Sequence, residues 1–436
     1  MPDAASPPLI ITQGRVIDPR SGRDETADVV LAHGKVQKIG KATDADRTGG
    51  AQTIDAAGRI VCPGLIDPQV HFREPGQEDK ETIETGAASA VAGGFTSVVC
   101  MANTRPAIDS AALVEYVYTE ARKAGLANVF PVGAVTKGRQ GEELAEIGLM
   151  NKAGAVAFTD DGDCIGSAAV MAKALAYVKM TGKVLMQHGE EPSLVGKGAM
   201  NAGALCTRLG LPGRPAVAEE LAILRDVTLN RSIGCRYHVQ HLSTGAGLDV
   251  IRHAQQQGQP VTTEVAPHHL LLTEEACAGY DTNYKMNPPL RTGRDIEALI
   301  DGVRDGNITI LATDHAPHTP EEKALEFAEA PAGILGLDCA LALYAKALLF
   351  DHDACDWPKL LGMMTHAPAT LCNLQGKGEL LPGADADMTI IDPEMDWTID
   401  VDTFASKARN CPFHGWQVKA RATHTIVGGA LKWALV

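Results

Sequence analysis

Six apolar runs in this chain break off into residues that can bind metal or move protons. One ends Asp67-Pro68-Gln69-Val70-His71-Phe72-Arg73, a second Met101-Ala102-Asn103, a third Thr159-Asp160-Asp161-Gly162. The others end Gln187-His188-Gly189-Glu190, Gln240-His241 and Thr313-Asp314-His315-Ala316-Pro317-His318. His71, His188 and His241 thus arrive with Asp161 and Asp314 from separate runs. Imidazole nitrogen and carboxylate oxygen together suit a borderline ion such as zinc. A lone histidine at the end of an apolar run is more often a hydrogen-bonded or surface residue. Matching ends repeated in chain order favour a metal centre. His315, His268 and His269 are expected in supporting or structural positions, and His33, His253, His352 and His424 on the surface.

These ends need elements that bring them together. The middle of the chain alternates apolar strand-like runs with helical stretches. The runs are Gly64–His71, Phe95–Asn103, Asn128–Thr136, Ala155–Asp161, Lys183–His188, Arg236–His241, Val261–Ala266 and Ile308–Asp314. Segments between them, such as Ser110–Ala124 and Ala216–Asn230, show helical periodicity. Eight such units predict an α/β fold, a closed (β/α)8 barrel of the TIM type, with the polar ends collected at its C-terminal mouth. The gaps after the fifth and seventh runs are the longest and should carry inserted loops. Both chain ends read as short strands: Leu9–Ile17, Val29–Leu31, Val36–Ile39, Ile54 and Ile60–Cys62 at the start, Met388–Ile391 and Thr425–Trp433 at the finish. The expected organisation is a small β-sandwich-like domain made from 1–62 and 373–436, around a barrel spanning 63–372.

The 436 residues suit one large barrel with an appendage. A formal charge of −15 argues against nucleic acid or an anionic membrane as partner, though a pocket can still be locally basic. Ten cysteines sit mostly in apolar runs and none forms a C-x-x-C pair, which predicts reduced core thiols of a cytoplasmic protein. The start, MPDAASPPLIITQGRV, lacks the basic and apolar regions of a signal peptide. No apolar stretch reaches membrane-spanning length. Disorder is expected only in the first few residues.

Read as motifs, these residues resemble the class I dihydroorotases of the amidohydrolase superfamily along nearly the whole chain. The resemblance rests on PGLIDPQVHFREPG (63–76), MANTRP (101–106), FTDDG (158–162), MQHGEEP (186–192), QHLST (240–244), KMNPPLR (285–291) and TDHAPHTPEEK (313–323). LPGADADMTIIDP and RNCPFHGW, near the C-terminus, are also similar to the family. The run H-F-R-E-P-G separates the chain from hydantoinases, which usually carry a carboxylated lysine where Asp161 stands here. Allantoinases usually lack the arginine found at Arg73. The resemblance implies reversible cyclisation of N-carbamoyl-L-aspartate to L-dihydroorotate, in de novo pyrimidine synthesis. It implies that Asp161 bridges two zinc ions, with His188 and His241 on the buried one and His71, with residue 69, on the other. It implies that Arg73, Asn103 and His318 bind the substrate carboxylate and that Asn287 contacts the ring. Metal-bound hydroxide would attack the amide, with Asp314 as general acid/base.

One position departs from the pattern. The family's first strand usually ends D-x-H-x-H, and Gln69 replaces the first of these histidines. Alternate residues of a strand share a face, so Gln69 should still reach the pocket. Its amide oxygen is a weaker zinc ligand than imidazole. One firm ion at Asp161, His188 and His241 is therefore expected, with the second site weakened. Three readings stay open: an active dihydroorotase, a catalytically impaired dihydroorotase-like subunit supporting aspartate transcarbamoylase, or another cyclic amidohydrolase. The expected partners are a small-molecule substrate and a second copy in a homodimer, with aspartate transcarbamoylase as a further candidate.

Overall fold

In the computed structural model residues 7–435 are described; the expectation of disorder in the first few residues falls on 1–6, outside them. The eight apolar runs of the middle all form parallel strands: Leu65–Val70, Phe95–Cys100, Asn128–Pro131, Ala157–Phe158, Val184–Gln187, Arg236–Val239, Val261–Val265 and Ile310–Leu311. The first two are buried at every position. That is the pattern of a parallel sheet covered by side chains within and helices without. The first three strands pair in order, as do the last five. Single parallel bridges, Gly133 to Phe158 and Val70 to His315, join the two groups and close the barrel. The buried Asp67 carboxylate adds to the closure by accepting from the Thr313 hydroxyl at 2.6 Å and from its backbone N–H.

The outer helices follow their start and stop signals. Ile83–Ala92 begins at Thr82, whose hydroxyl accepts from the Thr85 N–H, and Ala111–Ala124 ends at Gly125 in the left-handed conformation. Val217–Ile233 runs one turn further than its periodicity suggested. The long gap after the fifth strand carries Pro192–Val195, Ala204–Leu209 and a two-strand ribbon of Met200–Asn201 with Gly213–Arg214. The gap after the seventh carries short helical turns and the segment 285–291.

Both chain ends enter one sheet. Its order is Ala430–Ala434, Gln417–Val427, Met388–Thr398, Ile60–Pro63, Leu9–Asp18, Arg23–Ala32 and Lys35–Ile39, with Gln52–Asp55 beside Leu9–Asp18. Ile60–Pro63 lies between N-terminal and C-terminal strands and leads straight into the barrel. The junction is tight: a Cβ at Gly64 would lie 2.0 Å from the Thr96 hydroxyl oxygen. His33, His253 and His352 are exposed as expected, whereas His424 is half-buried on Gln417–Val427. It occupies a position in a paired strand, where flanking β-branched residues draw the chain into the sheet. All ten cysteines are unpaired and eight are buried. Among the described residues no helix is long and apolar enough to cross a membrane.

The strand ends carry the polar residues beyond the ladders. His71, Asn103, Asp161, His188, His241 and Asp314 all lie just past the last paired residue of their strand. Arg73, His241 and Asp314 have φ of 63°, 32° and 51°. Such left-handed backbone is uncommon outside glycine and cannot continue a strand. These positions turn their side chains inward across the barrel mouth.

Candidate metal centre and active site

Asp161, His188 and His241 converge from the fourth, fifth and sixth strands, with ligand atoms all within 4.8 Å of one another. His241 Nε2 lies 3.2 Å from Asp161 Oδ1, and His188 Nδ1 lies 2.9 Å from His241 Nε2 and 3.7 Å from the same oxygen. Two imidazole nitrogens aimed at each other and at a carboxylate form an electron-rich point that a cation satisfies better than shared protons. The electrostatics agree. Against the opposing pull of burial, His241, His71 and His188 hold the Asp161 carboxyl well below the usual carboxylate range. Burial draws His241 down, but Asp161 overrides it and raises the ring to about 9. Each group stabilises positive charge at this spot.

A second cluster shares Asp161. His71 Nε2 lies 2.8 Å from Asp314 Oδ1 and 3.3 Å from Asp161 Oδ2. His71 Nδ1 meets Asn103 Oδ1 at 2.8 Å. His71, Asp161 and Asp314 also offer ligand atoms within 4.8 Å of one another. Gln69 enters this cluster, as its strand parity demands. Its Nε2 donates toward Asp161 Oδ2 at 3.2 Å and Asp314 Oδ1 at 3.3 Å. Its Oε1 is buried without a partner. Turning the amide over would aim an acceptor at two carboxylates, so Nε2 is the atom this environment selects.

The clusters form one side of a cavity of about 600 Å³. Arg73, Asn103, Asn287 and His318 all line it. Arg73 Nε donates to Pro317 O at 3.1 Å and Nη2 lies 3.4 Å from His318 Nε2, while Nη1 makes no hydrogen bond among the described residues. Burial lowers its guanidinium to about 10 while Asp314 and Glu322 oppose the shift, so it keeps its charge at neutral pH. Nine of the ten sequence-predicted site residues line this cavity, and the tenth, Gln69, is fully buried behind it and joins through Asp161 and Asp314. His315, His268 and His269 are buried too; His315 Nε2 lies 3.6 Å from Glu81, away from the ligand clusters.

Residues 58–246 match the family model described as Dihydro-orotase-like. A dihydroorotase from Geobacter metallireducens is 47% identical over 421 residues, 97% of this chain and 98% of that protein. One from Syntrophotalea carbinolica is 47% identical over 427 residues, 98% and 99% of the two chains. The chain belongs to the dihydroorotase family. Among solved structures, an L-hydantoinase (dihydropyrimidinase) from Arthrobacter aurescens matches with a TM-score of 0.86 and 26% identity, over 98% of this chain and 97% of that one. The fold of the family member described here is accordingly that of the cyclic amidohydrolases.

The cavity of this dihydroorotase-family chain also contains groups that spacing did not single out. Arg139, Lys197, Arg214 and Lys285 join Arg73 in its wall beside Asp161, Asp314 and Glu329; Arg139 is paired with Asp163 and Arg214 with Glu190. Arg214 and Lys197 come from the insertion after the fifth strand, where no periodicity marks a functional position. Glu190 did carry a signal, standing two residues from His188 in MQHGEEP.

The ligand cluster makes an expectation for metal retention. His188→Ala should lose its bound divalent ion during purification, whereas Asn103→Ala, which removes only a partner of His71, should keep it. Elemental analysis of the folded variants reads this directly. Full metal content in His188→Ala would place the ion elsewhere.

Proposed function

We propose that this chain is a dihydroorotase that interconverts N-carbamoyl-L-aspartate and L-dihydroorotate with one firmly held zinc ion. The observation that carries this reading is the meeting of Asp161, His188 and His241 with Asp314 and Arg73 across one cavity. The donor set of two imidazoles and a carboxylate suits zinc and leaves a position open for chemistry. When bound, the ion supplies Lewis acidity, polarising a carbonyl and acidifying water.

The chain's own residues then perform the remaining steps. Arg73 offers its Nη1/Nη2 edge to the substrate carboxylate, a geometry suited to paired charge-assisted bonds. Asn103 and His318 flank it, and Asn287 faces the ring. In the hydrolytic direction Asp314 takes a proton from the attacking water. The oxygen bonds to the ring carbonyl carbon, the carbon–nitrogen bond breaks, and Asp314 returns the proton to the departing nitrogen. Cyclisation reverses these steps and releases water. The left-handed backbone of Asp314 and its 2.8 Å contact with His71 Nε2 support this role.

Gln69 supports a single firm ion. Its amide and the His71 ring already present N–H groups to Asp161 and Asp314. A second ion must displace both, and in return gains an amide oxygen in place of an imidazole. The same arrangement supports the second reading, an impaired subunit partnered with aspartate transcarbamoylase. Hydrolysis of L-dihydroorotate by the purified, zinc-loaded chain, abolished by a chelator, tests the choice. No turnover in either direction would leave the impaired-subunit reading.

Two variants probe the parts. Asp314→Asn should keep its metal and fold while turnover falls by roughly 10²–10⁴-fold, the usual contribution of a positioned acid–base group. Near-normal turnover would assign the proton transfer elsewhere. Gln69→His should bind a second ion in a metal titration, with hydrolysis held or increased. An unchanged titration would mean that the site is closed by more than the amide.

A further inference from the structure

A carboxylate that the proposed reaction does not use lies directly behind a metal ligand. Glu190 is 1% exposed, and its Oε2 receives His188 Nε2 at 3.2 Å and Arg214 Nη1 at 2.7 Å. Its Oε1 is 3.5 Å from Arg291 Nη2. A buried carboxylate needs such partners to remain charged.

Each partner leads to a different part of the site. His188 donates through Nε2, which leaves the Nδ1 lone pair aimed at Asp161 and His241. Arg214 is held by Gly198 O through Nε at 2.9 Å, and its Nη1 also donates to Asn287 Oδ1. An Asn287 oxygen engaged by Arg214 leaves Nδ2 as the atom free for the cavity, and Nδ2 has no hydrogen bond among the described residues. Arg291 donates to Ser243 Oγ at 3.1 Å and to Asn201 Oδ1 at 2.9 Å. These contacts tie the loops after the fifth, sixth and seventh strands to one carboxylate.

We infer that Glu190 and Arg214 are positioning residues that serve the two halves of the site at once. Glu190 sets the His188 tautomer for metal binding. Through Arg214 it turns the Asn287 amide so that an N–H, rather than an oxygen, meets the substrate. The substrate group selected at this place is therefore a hydrogen-bond acceptor, a carbonyl oxygen of a cyclic ureide or its open carbamoyl form. This deepens the reading above and rests on its assignment of Asn287 to the ring.

Four variants test it: Asn287→Ala, Arg214→Met, the double variant, and Glu190→Gln. Kinetics with L-dihydroorotate, zinc affinity of the substrate-free protein and thermal stability are measured for each. Asn287→Ala and Arg214→Met should each raise KM on the order of five- to ten-fold, as for loss of about one hydrogen bond. The double variant should be no worse than the poorer single one, because Arg214 acts through Asn287. Zinc affinity should fall roughly 10–100-fold in Glu190→Gln, the usual cost of losing a carboxylate behind a ligand histidine, and fall far less in Arg214→Met, where His188 and Arg291 still partner the carboxylate. KM effects that multiply in the double variant would overturn the Arg214 arm. Wild-type zinc affinity in Glu190→Gln would overturn the metal arm. A KM effect absent from Asn287→Ala itself would overturn the ring assignment and the Arg214 arm with it, leaving zinc affinity to judge Glu190. Arg214 is half-buried, so its variant reads the ring arm even if Glu190→Gln fails to fold.

Discussion

A carboxylate buried at the mouth of a barrel has to find positive charge or hydrogen-bond donors, because an isolated buried anion is very costly. Asp161 is 1% exposed and receives His71, His241 and Gln69 from two other strands. A shift of one residue in either of those strands would turn its side chain to the opposite face. The barrel register and the centre are thus parts of one constraint. Closure through Asp67 and Thr313 matters for the same reason, since it holds the strand of Gln69 and His71 against the strand of Asp314.

That constraint also bears on Gln69. The two carboxylates of the outer cluster need positive edges, and Gln69 with His71 can provide them through N–H groups. The inner cluster has no comparable amide and pairs two imidazole nitrogens at 2.9 Å. The inner point therefore calls for a cation more strongly than the outer one. Around both, Arg73, Lys197 and Lys285 bring cationic groups to the cavity that can meet an anionic substrate, against a whole-chain charge of −15.

Much of this was legible in the sequence. The eight strands appear within the apolar runs, because burial on both faces leaves a continuous apolar signature. The candidate ligands were legible because metal chemistry demands particular residue types, and the strand ends repeat them. The parity of Gln69 and His71 brought both to the carboxylate cluster, although only His71 lines the cavity. Other features leave no local trace. The positive φ angles of Arg73, His241 and Asp314 come from closing the mouth, not from their residue types. Arg214 reaches the cavity from an inserted ribbon whose path depends on tertiary contacts, and its partner Asn287 lies 73 residues away. The orientation of the Gln69 amide is set by two carboxylates from other strands. His424 looked like a surface residue because the expected strand began one position later, at Thr425, whereas the paired strand begins at Gln417.

The central claim is that one ion is held by Asp161, His188 and His241 while the Gln69 amide occupies the place of another. X-ray absorption fine structure at the zinc edge of the metal-loaded protein tests it most directly. The account predicts one zinc per chain with nitrogen and oxygen neighbours at about 2.0–2.2 Å, and no metal–metal scattering. A clear metal–metal vector at roughly 3.5–4 Å, the separation typical of paired catalytic ions, with two zinc per chain, would contradict it.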